Sequence, residues 1–211
     1  MKEWLKAKSV SDVGIFYSEK YKKDGFGAFK TPNHEFFFRW LIENFGGFKK
    51  NQSIVDFGCG HGEFITEVLR YSENLEIIIF GIDVSHEAIL LAENRLGDKA
   101  ALEYSSINEA SLKEESFDFA TSWGVLEHTM NPSESFRKIL SVLKPGGHAF
   151  ITVPIEFENC FSFIMEEENQ ITNERFASAE EWLGYFSDIK KPIYHEITGG
   201  DMKDIFMVFK K

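Results

Sequence analysis

The sequence predicts an α/β fold: a doubly wound, mostly parallel sheet closed at one side by an antiparallel hairpin. Three observations predict it. Short apolar segments alternate with helical patterns from residue 53 to residue 154, the order that builds a parallel sheet from βαβ units. One segment, LEIIIFGID (75–83), is apolar almost throughout, as a strand covered on both faces requires. Near the end the alternation stops, and PIYHEIT and DIFMVFK flank Thr198-Gly199-Gly200-Asp201, a composition that joins antiparallel strands.

The elements follow in order. The first 33 residues are polar and aromatic with scattered glycines (Gly14, Gly25, Gly27), and read as an arm or lid rather than a domain. HEFFFRWLIENFGG (34–47) is a helix stopped by a glycine pair. SIVDF (53–57) is a buried strand, and EFITEVLRYS (63–72) a helix with Phe64 and Val68 inward. After LEIIIFGID, Ser85 caps a helix that ends at Gly97. ALEYS (101–105) and FDFATSW (117–123) are the next strands. Asn131, Pro132 and Glu134 start the helix PSESFRKILSVLK, with a capping side chain, a proline in the first turn and an early acid. Lys144-Pro145-Gly146-Gly147 stops it before the strand HAFITVP (148–154). Residues 155–177 are acidic and aromatic and read as an insertion over the top of the sheet. SAEEWLGYFS (178–187) is a helix opened by a Ser178/Glu181 capping box.

Length and charge bound the function. A chain of 211 residues with 43% apolar content suits one soluble domain with a full core. Its net charge of -11, from 23 basic and 34 acidic side chains, argues against nucleic acid or an anionic membrane as the main partner. Cys59 and Cys160 make neither a disulfide framework nor a CxxC metal signature. The start MKEWLKAKSV is not a signal peptide, and no stretch approaches the roughly 20 apolar residues of a membrane span. The expected location is the reducing cytoplasm.

The chemistry is concentrated in VDFGCGHGEF (55–64). Ligands of open parallel sheets bind beyond the carboxyl ends of the strands, and this loop leaves the first strand there. The spacing Gly58, Gly60, Gly62 brings the third glycine one position earlier than in a dinucleotide fingerprint. Asp56 stands where it would repel a phosphate. A ligand with a cationic head fits better, and S-adenosyl-L-methionine (SAM) has one, in its ammonium group and sulfonium. Asp83, at the end of the next strand, is the acid expected for the ribose hydroxyls.

With these residues in view, the chain resembles the class I SAM-dependent methyltransferases from about residue 36 to residue 211. VDFGCGHG matches their DxGxGxG motif, GID their acidic strand end, SFDFATSWGVLEH their fourth strand and loop, and LKPGGHAFITVP their helix, turn and fifth strand. It is most similar to the small-molecule group that includes ubiquinone-pathway O-methyltransferases, on the VLEH segment and Arg175-Phe176-Ala177-Ser178. The resemblance implies one Rossmann-like domain over 1–211, with a seven-stranded sheet whose last strand is antiparallel. It implies that Asp56, Phe57, Gly58, Cys59, Gly60 and Gly62 form the loop holding the methionine part. Asp83 would hold the ribose, and Val84 would lie against adenine. Ser106 and Ile107 stand where relatives often read Asp-Ala, so adenine contacts fall to the Ile107 backbone. Trp123 and Gly124 would flank the methionine chain. Relatives often carry histidine at the position of Asn173, so no substrate role of that histidine transfers.

Methyl transfer is an in-line displacement that orientation can largely accelerate, and an oxygen acceptor usually needs a base. His128 is the preferred base, as a neutral imidazole titrating near working pH, with Glu127 beside it. The competing role for His128 is a structural bond to the Asn131 cap. The side chains of Cys59 and His61 are expected to pack or face solvent. Tyr17, Tyr21 and Phe26 would belong to a lid, and Phe157, Phe161, Phe163 and Met165 would wall a pocket. The expected reaction methylates a small-molecule acceptor, with oxygen favoured over nitrogen or carbon, and yields S-adenosyl-L-homocysteine (SAH). The alternatives are a non-catalytic SAM-binding protein and, less favoured, an RNA 2′-O-methyltransferase, whose E-x-x-E-H metal cluster lacks its first acid at Gly124.

Overall fold

The computed structural model describes residues 1–24, 33–73, 75–156, 173–199 and 203–211. The expected Phe26, Phe157, Phe161, Phe163 and Met165 lie outside them, as does the turn at Gly200 and Asp201.

The chain opens with strand β1 (Lys2–Leu5) and helix α1 (Val10–Asp24), where the sequence suggested only an arm. α1 has no sharply apolar face, which is why its pattern is faint in the sequence. Helix α2 (Asn33–Phe45) ends at Gly46 and Gly47, both with positive φ. Then follow β2 (Ser53–Phe57), α3 (Glu63–Tyr71), β3 (Ile78–Asp83), α4 (His86–Leu96) and β4 (Ala101–Tyr104). β5 (Phe117–Trp123), α5 (Pro132–Val142) and β6 (Leu143–Pro154) complete the alternating part. Caps predicted from sequence form: Ser85 accepts from the Ala88 amide, Asn131 from Glu134, and Ser178 and Glu181 make the reciprocal box.

Beyond β7 (Asn173–Phe176) and α6 (Ala179–Ser187), the hairpin strands are β8 (Tyr194–Gly199) and β9 (Lys203–Lys210). The seven-stranded sheet runs β4-β3-β2-β5-β6-β9-β8, with β9 antiparallel to both neighbours. The later arm of the hairpin therefore inserts beside β6, and β8 becomes the edge. A separate antiparallel pair joins β1 to β7.

Alternate side chains of the central strands serve opposite faces, as the period of two demands. Val55, Ala120, Ile151 and Met207 pack under α5 and α6 with Phe136, Ile139, Trp182 and Phe186. Ile54, Phe119, Phe150 and Phe206 pack under α2, α3 and α4 with Phe37, Leu41, Phe64 and Ala92. Much of the chain's phenylalanine goes into this second layer, where Phe37 meets Phe38, Phe64 and Phe150 edge to face at 4.7–5.2 Å.

β6 starts earlier than its sequence pattern suggested. Leu143 pairs with Phe117, the register then shifts, and His148 pairs with Phe119. The intervening Lys144–Gly147 bulges outward, since Pro145 has no amide to donate to the ladder.

Candidate functional site

A cavity of about 260 Å³ opens beyond the carboxyl ends of β2, β3 and β5. This is the switch point of the sheet: from β2 the chain winds outward through β3 to β4, and from β5 it winds the other way to β6. The residues that the sequence placed far apart meet here. Asp56, Gly58, Cys59, Gly60, Asp83, Val84, Ser106, Ile107, Trp123, Gly124 and His128 all line it. Phe57, Gly62 and Glu127 do not. Phe57 is fully buried in the core, Gly62 starts α3 against Leu96, and Glu127 is buried behind Gly124.

The loop after β2 is held by backbone bonds. The amides of Gly58 and Cys59 both donate to the Ile82 carbonyl, at 2.7 and 2.9 Å. Gly58 has φ +78°, and a Cβ on it would lie 2.3 Å from Val125 Cγ2. Gly60 has φ +53°, and a Cβ there would lie 2.5 Å from the Tyr21 hydroxyl oxygen. Both positions need a residue with no side chain, for conformation and for space. Cys59 turns its thiol into the core, and burial raises its pKa well above the usual value.

The two acids are buried and do different local work. Asp83 Oδ2 accepts from the Gly60 amide and Oδ1 from the Ser85 amide, each at 2.8 Å. One carboxylate thus ties the glycine loop to the start of α4. Burial nevertheless raises its pKa to about 6. Asp56 Oδ1 accepts from the Thr121 hydroxyl at 2.7 Å. Burial, reinforced by the charge of Asp83, raises Asp56 to about 7. Two buried carboxylates of one sign and a wall without lysine or arginine among the described residues make this end of the cavity attractive to a cation.

At the other end, β5 leads into a single 3-10 turn (Leu126–His128). The expectation of a neutral His128 near working pH is corrected here. Burial alone would lower its pKa, but the Glu174 and Glu127 carboxylates outweigh that and push it to about 9. Nδ1 donates to the Asn173 carbonyl at 2.8 Å and lies 3.1 Å from Glu174 Oε1; Nε2 is 3.7 Å from Glu127 Oε1. The bond goes to β7 and not to the Asn131 cap. Burial pushes Glu127 up to about 8, and its Oε2 is buried without a hydrogen-bond partner.

α1 forms a further wall through Val10, Val13, Tyr17 and Tyr21. Its Ser18 hydroxyl meets that of Ser85 at 3.0 Å, and the Tyr17 ring meets the His128 ring edge to face at 5.6 Å. Sequence reading gave no role to Thr121, Glu174, His34 or Glu63, and noted Arg175 only as part of a family-like segment. His34 and Glu63 line the cavity, and His34 is held neutral by burial, which lowers its pKa to about 4, with Nδ1 3.1 Å from Glu67. No spacing rule points to these five, because they come from four elements far apart in the chain: α2, α3, β5 and β7.

A family model described as a methyltransferase domain matches residues 29–191. Phosphoethanolamine N-methyltransferase 2 of Caenorhabditis elegans is 30% identical over 118 residues, covering 54% of this chain and 26% of that protein. The ubiquinone biosynthesis O-methyltransferase of Ralstonia nicotianae is 33% identical over 103 residues, 47% of this chain and 42% of that protein. The chain thus spans less than half the length of either relative. In fold it is similar to the 1,6-didemethyltoxoflavin-N1-methyltransferase of Burkholderia thailandensis, solved with its substrate and SAH (TM-score 0.69, 16% identity, 96% of this chain and 87% of that one). It is equally similar to the cyclase SpnF (TM-score 0.69, 17% identity, 98% of each chain).

Proposed function

The chain belongs to the methyltransferase-domain family, and on that premise we propose that it transfers the methyl group of SAM to a small-molecule acceptor. The observation that carries this reading is the pair of buried carboxylates, Asp56 and Asp83, on either side of a loop whose glycines leave its backbone open to the cavity. The ammonium group of SAM would pair with Asp56, and the ribose hydroxyls would share Asp83 with the Gly60 and Ser85 amides. Val84, Ser106 and Ile107 would face adenine. Trp123 and Gly124 would flank the methionine chain toward His128. α1, with Tyr17 and Tyr21, would act as a lid over the bound cofactor, excluding water from the reaction.

SAM would supply an activated methyl carbon. The protein would orient it and handle the proton of the acceptor. His128, which lines the cavity, would take that proton once it has lost its own, with Glu127 buried beside it, and oxygen is the acceptor atom we favour because such an acceptor must lose a proton. Relatives by sequence include both an O- and an N-methyltransferase, so the atom is a reading of the site and not of the family. The competing reading is a protein that binds SAM without turning it over; the fold itself is shared with a cyclase. Calorimetry with SAH, followed by a labelled-methyl screen of hydroxyl and amine acceptors, separates them. No SAH binding ends both readings, and binding with no labelled product from any acceptor favours the second.

The buried acids add a pH signature. A carboxylate raised to about 7 is protonated in the empty site below that value, and pairing with an ammonium requires it ionised. Affinity for SAH is therefore full above pH 7 and falls as pH drops through it. We expect about a tenfold weakening between pH 8 and pH 6, one proton being linked to binding. Asp56→Asn removes that slope, and a flat profile in the wild-type protein would remove Asp56 from the ammonium site.

A further inference from the structure

We propose that Glu174 and Arg175 are positioning residues, which hold His128 and its loop at the edge of the cavity. The proposal rests on the reading of His128 given above. Neither residue lines the cavity; from β7, Glu174 reaches His128 itself and Arg175 reaches the backbone on either side of it.

The two neighbours hold different parts of the same loop. Glu174 takes the ring. With Nδ1 bonded to the Asn173 carbonyl and lying 3.1 Å from Glu174 Oε1, the imidazole can rotate only by breaking both. That leaves Nε2 as the ring nitrogen not engaged by β7. Arg175 takes the backbone. Its Nη1 donates to the carbonyls of Glu127 and Thr129, at 2.8 and 2.7 Å, and Nη2 donates to Met130 at 3.4 Å. Between β5 and α5 the chain makes one 3-10 turn, so no sheet ladder supplies these carbonyls with donors. The planar fork of a guanidinium can serve several at once, and an ammonium on a flexible stem cannot do so in fixed geometry.

Arg175 is itself secured. It is 5% exposed, and Glu3 Oε1 lies 3.5 Å from its Nε. Glu3 is also its partner in the β1–β7 register. The N-terminal strand thus braces the residue that braces the loop. The groups facing His128 are Glu127 from its own turn, Glu174 from β7 and the Tyr17 ring from α1, with Arg175 behind on the Glu127 carbonyl.

The test follows His128 directly, by nitrogen NMR of the imidazole across pH, and needs no acceptor. Glu174→Gln should lower the His128 pKa by about one unit or more, through loss of the adjacent carboxylate. Glu174→Asp should restore most of it. Arg175→Lys should leave SAH affinity within about threefold of wild type and divide the His128 signal among several environments. An unchanged His128 titration in Glu174→Gln overturns the role of Glu174, and a single wild-type signal in Arg175→Lys overturns that of Arg175. If Glu174→Gln does not fold, Glu174→Ala takes its place, where a lowered His128 pKa supports the proposal and a wild-type one overturns it. SAH calorimetry on the wild-type protein runs beside these. Absent binding there sinks the functional reading, while the NMR result still judges whether β7 positions the histidine.

Discussion

Asp83→Ala is expected to weaken SAH binding by about 100-fold or more, corresponding to roughly 3 kcal/mol, with a much smaller change in folding stability. The asymmetry follows from what the carboxylate does. Its two oxygens hold the amides of Gly60 and Ser85, and removing it frees the glycine loop from the end of β3. A ligand then loses its ribose acceptor and must also order the loop. Each hydrogen bond to a charged group contributes about 1.5–3 kcal/mol, so two losses on the ligand's side reach the expected figure. Folding is affected less, because a carboxylate whose pKa is raised by burial is a cost to the folded state at neutral pH. Deleting it removes that cost along with the bonds. Calorimetry with SAH and urea unfolding of the same variant measure the two sides. An SAH affinity within about threefold of wild type would place the cofactor elsewhere.

Gly58→Ala is expected to abolish measurable SAH binding and to lower stability by roughly 2–4 kcal/mol. The estimate combines about 1 kcal/mol for a side chain at positive φ with about 1–3 kcal/mol for an inserted methyl group in a packed site. The added Cβ would sit 2.3 Å from Val125 Cγ2, so one of the two must move. Val125 precedes the 3-10 turn of His128, and its displacement carries the strain from the glycine loop to the far end of the cavity. Adding Val125→Ala to Gly58→Ala should recover the steric part of the stability loss and leave the conformational part. Full recovery, or none, would show that the two loops do not meet as described.

The sheet was legible in the sequence because its signals are local. Continuous apolar runs, the Ser85, Asn131 and Ser178 caps, and the turn residues each act within a few positions. The glycine loop was legible for the same reason, as were Asp83 at a strand end and the antiparallel finish. α1 was not, since a helix with scattered apolar residues gains its stability from what it packs against rather than from its own period. Its Tyr17 and Tyr21 were expected in a lid, but on an arm with no helix to carry them.

What the sequence determined by itself, then, is the order of the alternating elements from β2 to β6 and the kinds of groups at the strand ends. Acids and glycines at the end of β2, and an acid at the end of β3, follow from spacing alone. Tertiary structure decided how those groups are charged. His128 is an ordinary histidine until Glu174, 46 positions on, is folded against its ring and raises its pKa to about 9. Asp56 is an ordinary aspartate until α1, β5 and the loop after β3 bury it and raise it to about 7. Protonation depends on the solvent removed and the charges brought near, and both are set by parts of the chain that no local pattern connects.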